Sequence, residues 1–267
     1  MTLRRVWFPA TLGAAAGAVV LFLTLPVLAV FLDTSPGRLV DALGSEGATE
    51  ALWLSLRTTS AALAIIVVVG TPAAYLLATR RFRGRDLVIT LVELPLVLPP
   101  AVAGIALLAS IGPSGILGPA LASLGIELAL QTAGVIVALT FVASPFYVRQ
   151  AMAAFAAVDP ALVDASRTLG ASEARTFARI VVPSAAGGLL AGGALALGRA
   201  LGEFGATLMF AGSFEGITQT APLAIYARFG TDFDAALALS AVLVAVSAAL
   251  LLGVKALSSD ALDPRAR

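Results

Sequence analysis

The chain contains no cysteine, no histidine and, among its 267 residues, a single lysine, Lys255. The absence of cysteine excludes a disulfide framework and a thiol nucleophile, and the lack of both residue types excludes an ordinary zinc site. Missing histidine also removes the usual proton shuttle at neutral pH. Lys255 follows Val254, so the chain has no Gly-Lys-Ser/Thr phosphate loop, and any ATPase that drives it must lie on another chain. Charge is scarce as well: Asp, Glu, Lys and Arg make up 12% of the residues, against roughly 25% in soluble proteins. With a net charge of +1 and no basic block, nothing suggests nucleic acid.

What fills the sequence is apolar, with 59% hydrophobic residues and a mean hydropathy of +0.98. The apolar runs cover approximately 7–32, 51–79, 87–111, 130–152, 183–212 and 235–257. Each is long enough for a bilayer crossing, which takes about 20 residues. Val27-Leu28-Ala29 could pass for a signal-peptidase site, but the first run is far longer than the roughly 7–15 apolar residues of a signal. It is read as a retained span. The expectation is an all-α integral membrane protein with six transmembrane helices in a single transmembrane domain, residues 1–267.

Basic residues orient the spans. With the N-terminus inside, the inner segments hold Arg4, Arg5, Arg80, Arg81, Arg83, Arg85, Arg149, Arg167, Arg175, Arg179, Lys255, Arg265 and Arg267. The outer loops hold only Arg38 and Arg228, while Arg57 and Arg199 fall within spans. Both termini are therefore expected in the cytoplasm. The outer segments, around 33–50, 112–129 and 213–234, are too short for a domain. Their acidic residues Asp33, Asp41, Glu46, Glu50, Glu127, Glu215, Asp232 and Asp234 read as solvated connectors or as a surface that docks a substrate-delivering protein.

Between the fourth and fifth runs lies a polar break, 159–179, that the charge rule places on the cytoplasmic side. Asp159 can cap free backbone N–H groups, and Pro160 suits the first helical position. Gly170 can take the left-handed conformation that closes this helix. Ser172 starts a second short helix with Glu173 at the positive end of its dipole, and Pro183 marks where the next span begins. The result is two short helices hinged at a glycine, a shape suited to a docking lever. Leu162, Ala165 and Leu169 share a face, so a helix lying on the membrane surface is the alternative.

Arg57, Glu93, Arg199 and Glu203 lie within or near the ends of spans. Each would cost about 2.5–3.5 kcal/mol at a helix centre in lipid, so they should face protein or water. Arg199 and Glu203, four apart, can pair, either to tighten the bundle or as a polar element of a passage. Pro95, Pro99 and Pro100 remove backbone donors and would break a regular helix, which is tolerated at membrane depth only beside protein or a water-filled cavity. Gly187, Gly188, Gly192 and Gly193 allow helices to approach closely. The candidate path and gate residues are Pro99, Pro100, Arg199, Glu203, Phe204 and Gly205.

The spacing of Asp164, Ala165, Ser166, Gly170, Ile180 and Pro183 resembles the "EAA" loop of permease subunits of ABC importers, with Asp for Glu at the first position and Ser for the second Ala. Arg199–Gly212 resembles the fifth-span signature of permeases for tetrahedral oxyanions. With Leu94–Gly104 and Thr218–Tyr226, it looks most like the molybdate subgroup, and sulfate permeases carry a closely similar run. The resemblance covers about residues 50–255. It implies a type I ABC importer permease (MetI-like) fold in the cell membrane, and transport rather than catalysis. It assigns ATPase coupling to Asp164, Ala165, Ser166, Leu169, Gly170, Ile180 and Pro183. The implied partners are a cytoplasmic ABC ATPase dimer, an extracytoplasmic oxyanion-binding protein, a second permease copy forming a homodimer, and membrane lipid. ATP and Mg would sit on the ATPase, and this chain would hold no cofactor or metal of its own. The implied substrate is molybdate or tungstate, with sulfate or thiosulfate as the alternative. An autonomous secondary transporter or channel, the competing class, often shows inverted repeats, and none is apparent.

Overall fold

The computed structural model describes residues 3–262. Arg265 and Arg267 lie outside the described residues, and so do the side chains of Arg4, Arg5, Glu46 and Lys255. The regular elements are all helical. In order they are α1 (Leu3–Leu32), α2 (Pro36–Gly44), α3 (Glu46–Thr79), α4 (Arg85–Val97), α5 (Pro100–Ile111), α6 (Gly118–Ser123), α7 (Thr132–Ala156), α8 (Pro160–Thr168) and α9 (Glu173–Thr176). A π-helical turn (Phe177–Val181) then leads into α10 (Val182–Leu201), followed by α11 (Gly205–Ala211), α12 (Ala221–Phe229) and α13 (Phe233–Leu262). Among the described residues, five stretches are long and apolar enough to cross a membrane: Ala10–Leu32, Gly47–Thr79, Thr132–Ala156, Glu173–Leu201 and Phe233–Val254. The halves α4 and α5 together occupy the place of the remaining expected span.

The centre of the bundle is α7, packed between α3 and α10. Its Val135, Leu139, Ala143, Tyr147 and Ala151 are buried against Ala62, Ile66 and Ala74 of α3 and Ala185, Ala196 and Ala200 of α10. Between lipid-surrounded helices association relies on close packing, which small residues permit. The Tyr147 hydroxyl shares a 2.6 Å hydrogen bond with Thr71, satisfying a polar tip that would otherwise be costly at this depth. By contrast α1 is exposed along its apolar length and meets the rest of the chain mainly along α13.

Two expected spans are interrupted. Residues 87–111 form α4 and α5, separated at Leu98-Pro99. Leu98 precedes a proline and takes an extended backbone (φ −73°, ψ 131°), while Pro99 and Pro100 supply no N–H. Pro95, one turn earlier, stays inside α4. Residues 183–212 likewise stop at Leu201 and resume as α11 at Gly205.

A further difference concerns the second polar helix. It is not separate: α9, the π turn and α10 run on from Glu173 to Leu201. Pro183 therefore sits in the first turn of α10 instead of at a break. The Val182 N–H reaches back five residues to the Phe177 carbonyl, and this widened turn accommodates the donor that Pro183 lacks. The connectors expected on the outer side carry short helices. They contain α2, α6 and α12, and Thr218, Gln219 and Thr220 are buried. The Ser55 hydroxyl on α3 accepts the Ala221 N–H at 2.7 Å, tying the start of α12 into the bundle.

The two interrupted spans meet. A Cβ at Gly104 would lie 2.5 Å from Cβ of Met209 and 2.7 Å from the Ala206 carbonyl oxygen, so α5 and α11 touch backbone to backbone. Replacing Gly104 with Ala is expected to force them apart at about 1–3 kcal/mol, the usual size of an overpacking penalty. Gly193→Ala, with nothing within 4 Å of its would-be Cβ, should stay within about 1 kcal/mol. Thermal unfolding of the two purified variants in detergent checks the contrast.

Candidate functional site

Two places carry the residues singled out above: an elbow formed by α8 and α9, and the paired helix breaks. At the elbow, the Asp159 carboxylate accepts the Ala161 N–H at 2.9 Å and opens α8. The helix closes at Gly170, whose φ of +78° only glycine adopts without strain. The Gly170 N–H donates to the Arg167 carbonyl (2.9 Å) and the Ala171 N–H to the Ser166 carbonyl (3.1 Å), the hydrogen-bond pair of a Schellman cap. Ser172 then accepts the Arg175 N–H at 3.4 Å and starts the next helix.

Side chains lock this corner. Arg167 reaches across Gly170 to Glu173 with Nε at 2.9 Å and a terminal nitrogen at 3.1 Å, and it also meets Asp164 at 3.4 Å. Its hydrogen bond to Glu173, and then the charge of that carboxylate, pushes the guanidinium further up from its ordinary value. Ser166, which stands where the family pattern has Ala, shares a 2.9 Å hydrogen bond with Thr176 on α9. Beneath lies an aromatic floor, with Tyr75 4.7 Å from Phe177 and 5.4 Å from Phe155 between ring centroids. Ala165 is exposed, Ile180 is half-buried in the π turn, and Pro183 follows on an exposed face. No residue of α8 is buried; Leu162 is half exposed and Leu169 is 87% exposed. The corner is thus capped and cross-braced, and it presents two exposed leucines.

The second place lies at the far end of α10, 20 residues or about 30 Å along the helix. Glu203 is buried at the break, 2% exposed. One carboxylate oxygen pairs with Arg199 at 2.5 Å, and the other accepts the Ala206 N–H at 2.6 Å. One acid thus neutralises a cation and satisfies a backbone donor freed by the break. Pro100 packs on Gly205, where a Cβ would come within 2.6 Å of the proline Cβ. Pro99 occupies the matching break, and Phe204 stacks on Tyr226 with ring centroids 4.9 Å apart. The six candidate path residues therefore converge on the two adjoining breaks.

Several features escaped the sequence. The Arg167–Glu173 bridge had a signal, opposite charges flanking a capping glycine. The Ser166–Thr176 bond, the aromatic floor, the Ser55–Ala221 bond and the Glu93–Arg149 pair at 3.1 Å arise from tertiary placement and had none.

The Arg199–Glu203 pair is lopsided, since the Arg199 side chain is 27% exposed and that of Glu203 1%. Removing Arg199 strands an uncompensated buried carboxylate, whereas removing the charge of Glu203 leaves a partly wet guanidinium. Arg199→Met is accordingly expected to cost about 3–5 kcal/mol and Glu203→Gln clearly less. The order of the two melting temperatures is the check.

Comparison with known proteins supplies the family. The model of the binding-protein-dependent transport system inner membrane component matches residues 66–267. The molybdenum transport system permease protein ModB of Mycobacterium tuberculosis is 40% identical over 264 residues, covering 98% of this chain and 97% of the relative. The sulfate transport system permease protein CysT of Salmonella typhimurium is 33% identical over 256 residues, covering 94% and 92%. Among solved structures, a bacterial ABC transporter that imports alginate superimposes with a TM-score of 0.79 at 19% identity, covering 98% of both chains. The methionine transporter MetNI gives 0.64 at 19% identity, covering 82% of this chain and all of the other. These two establish the fold. By the family match and the near-full-length identity, this chain belongs to the inner membrane components of binding-protein-dependent transport systems.

Proposed function

We propose that this chain is the membrane-spanning subunit of an ATP-driven importer for molybdate and tungstate. The observation that carries the substrate is the ranking of relatives. The molybdenum permease is more similar than the sulfate permease, with coverage near complete in both. Sulfate is the second reading, on the strength of that 33% identity. Selectivity would reside mainly in an external binding protein, leaving the permease a weak and forgiving passage.

In this reading two copies of the chain pair as a homodimer, with both termini and the elbow on the cytoplasmic side. A separate ATPase dimer, carrying ATP and Mg, covers Leu162 and Leu169. Its closure moves the elbow, and the helix running from Glu173 to Leu201 transmits the motion as one rod to the breaks at Leu98-Pro99 and Gly202–Phe204. Shifting a two-state gate from 1:99 to 99:1 needs about 5.5 kcal/mol of differential affinity between the states. Only a stiff elbow can deliver such a difference, and the Schellman cap and the Arg167–Glu173 bridge supply the stiffness.

The complex reconstituted in liposomes with its ATPase and binding protein tests the reading. Molybdate and tungstate should each stimulate ATP hydrolysis and uptake, and sulfate should not. Stimulation by sulfate alone would replace the substrate while keeping the mechanism; uptake without an ATPase would overturn the mechanism.

A lever model also makes the elbow variants specific. Proline cannot adopt the positive φ of Gly170, and Asp164→Arg sets a like charge beside Arg167. Either variant is expected to reach the membrane yet lower uptake per ATP hydrolysed by at least about tenfold, a loss of about 1.4 kcal/mol of coupling. Normal uptake by either would contradict the lever.

A further inference from the structure

We infer that the cavity between α3, α4 and α7 is a transient anion site at the inner end of the passage. There Arg149 exchanges Glu93 for the departing tetrahedral oxyanion. This rests on the oxyanion reading above. The cavity measures about 310 Å³ and is walled by Arg85, Glu93, Arg149 and the small or flexible side chains of Ala78, Met152 and Ala153.

The charges at membrane depth are not equivalent. Arg199 and Glu203 are sealed against each other, with the Glu203 side chain 1% exposed and its oxygens both engaged. The Glu93–Arg149 pair is open. Arg149 is 61% exposed, Glu93 is 36% exposed, and their shortest approach is 3.1 Å through Nε. Among the described residues neither terminal nitrogen of Arg149 makes a hydrogen bond. A guanidinium with its fork free, beside a cavity, is suited to bidentate recognition of oxyanion oxygens.

Arg85 adds a second cation that is already held in place, its Nε donating to the Leu77 carbonyl at 2.7 Å. Two guanidiniums and one carboxylate line the space, and Arg85 also meets the exposed carboxylate of Asp86 at 3.4 Å. The site also sits inward of the breaks. Arg149 lies seven residues before the end of α7 at Ala156 and Glu93 eight after the start of α4 at Arg85, which is about 10–12 Å along each helix. Lipid would not tolerate these charges at that depth, whereas a water-filled vestibule would.

Glu93 gives the site its transience. It competes with the anion for the same guanidinium, holds Arg149 in register when the cavity is empty, and keeps affinity low enough for release. A purely structural ion pair has no such consequence, and the two cases separate by sign. Equilibrium binding of radiolabelled molybdate would be measured on the permease–ATPase complex in detergent, without nucleotide or binding protein. Wild type should bind weakly and saturably. Glu93→Gln should bind at least about tenfold more tightly, Arg149→Gln at least about tenfold more weakly, and Arg149→Lys in between, as loss or gain of a charged hydrogen-bond partner implies. Equal affinity in wild type and Glu93→Gln, or losses of the same sign in both neutral variants, would overturn the site. If Arg149→Gln fails to co-purify with the ATPase, tighter binding by Glu93→Gln still decides. A complex stimulated by its molybdate-loaded binding protein but lacking these affinity changes refutes only the site. No stimulation by molybdate, tungstate or sulfate refutes the transport reading.

Discussion

Hydrocarbon offers no water to a backbone N–H or carbonyl, so a chain that crosses it must satisfy these groups internally. This protein nevertheless interrupts two of its helices, at Leu98-Pro99 and at Gly202–Phe204, and much of the architecture follows from how that is made tolerable. Two consecutive prolines mean that the first break exposes fewer donors than an ordinary one. At the second, Glu203 accepts the Ala206 N–H and is itself neutralised by Arg199. The two breaks then cover each other through Pro100 on Gly205 and Gly104 on Ala206. Each break is thus covered in part by the other, while Pro99, Pro100 and Gly202 stay exposed on this chain.

From the second break α10 runs back to the elbow, and the two ends differ in physical character. At the break Glu203 is buried and held by one ion pair, beside an exposed Gly202. The elbow is exposed, braced by Arg167 to Glu173 and Ser166 to Thr176, and floored by aromatic rings. Exposed ion pairs individually contribute little. Their value in such a corner is geometric, since a bidentate guanidinium across a left-handed glycine fixes the angle between α8 and the long helix. A corner of fixed angle joined to a continuous helix is what the proposed coupling needs.

Much of this was legible in the residues. Asp159 with Pro160, Gly170, and Ser172 all cap as their chemistry requires, because capping is local and insensitive to what packs around it. The i,i+4 pair of Arg199 and Glu203 was readable for the same reason. Less legible were the continuity of the second elbow helix into α10 and the position of the proline break. Pro183 and Pro95 have the same covalent handicap as Pro99. Yet a π turn accommodates the first, α4 carries the second through, and only Leu98-Pro99, backed by Pro100, opens the chain. The Glu93–Arg149 pair joins residues 56 positions apart and depends on how α4 crosses α7. The burial of Thr218, Gln219 and Thr220 likewise follows from α12 folding back onto α3, which the polar composition of that segment concealed.

The central claim is that the helix from Glu173 to Leu201 moves as one rigid body and bends the chain only at Gly202–Phe204. The absence of cysteine makes this directly measurable. Spin labels at Ala174→Cys and Leu195→Cys report on the rod, and labels at Leu195→Cys and Ile217→Cys report across the break. Electron–electron double resonance would be recorded on the reconstituted complex, nucleotide-free and with ATP trapped on its ATPase. The account predicts an unchanged distance within the rod and a shifted distance across the break. A shift within the rod, with the distance across the break unchanged, would contradict it.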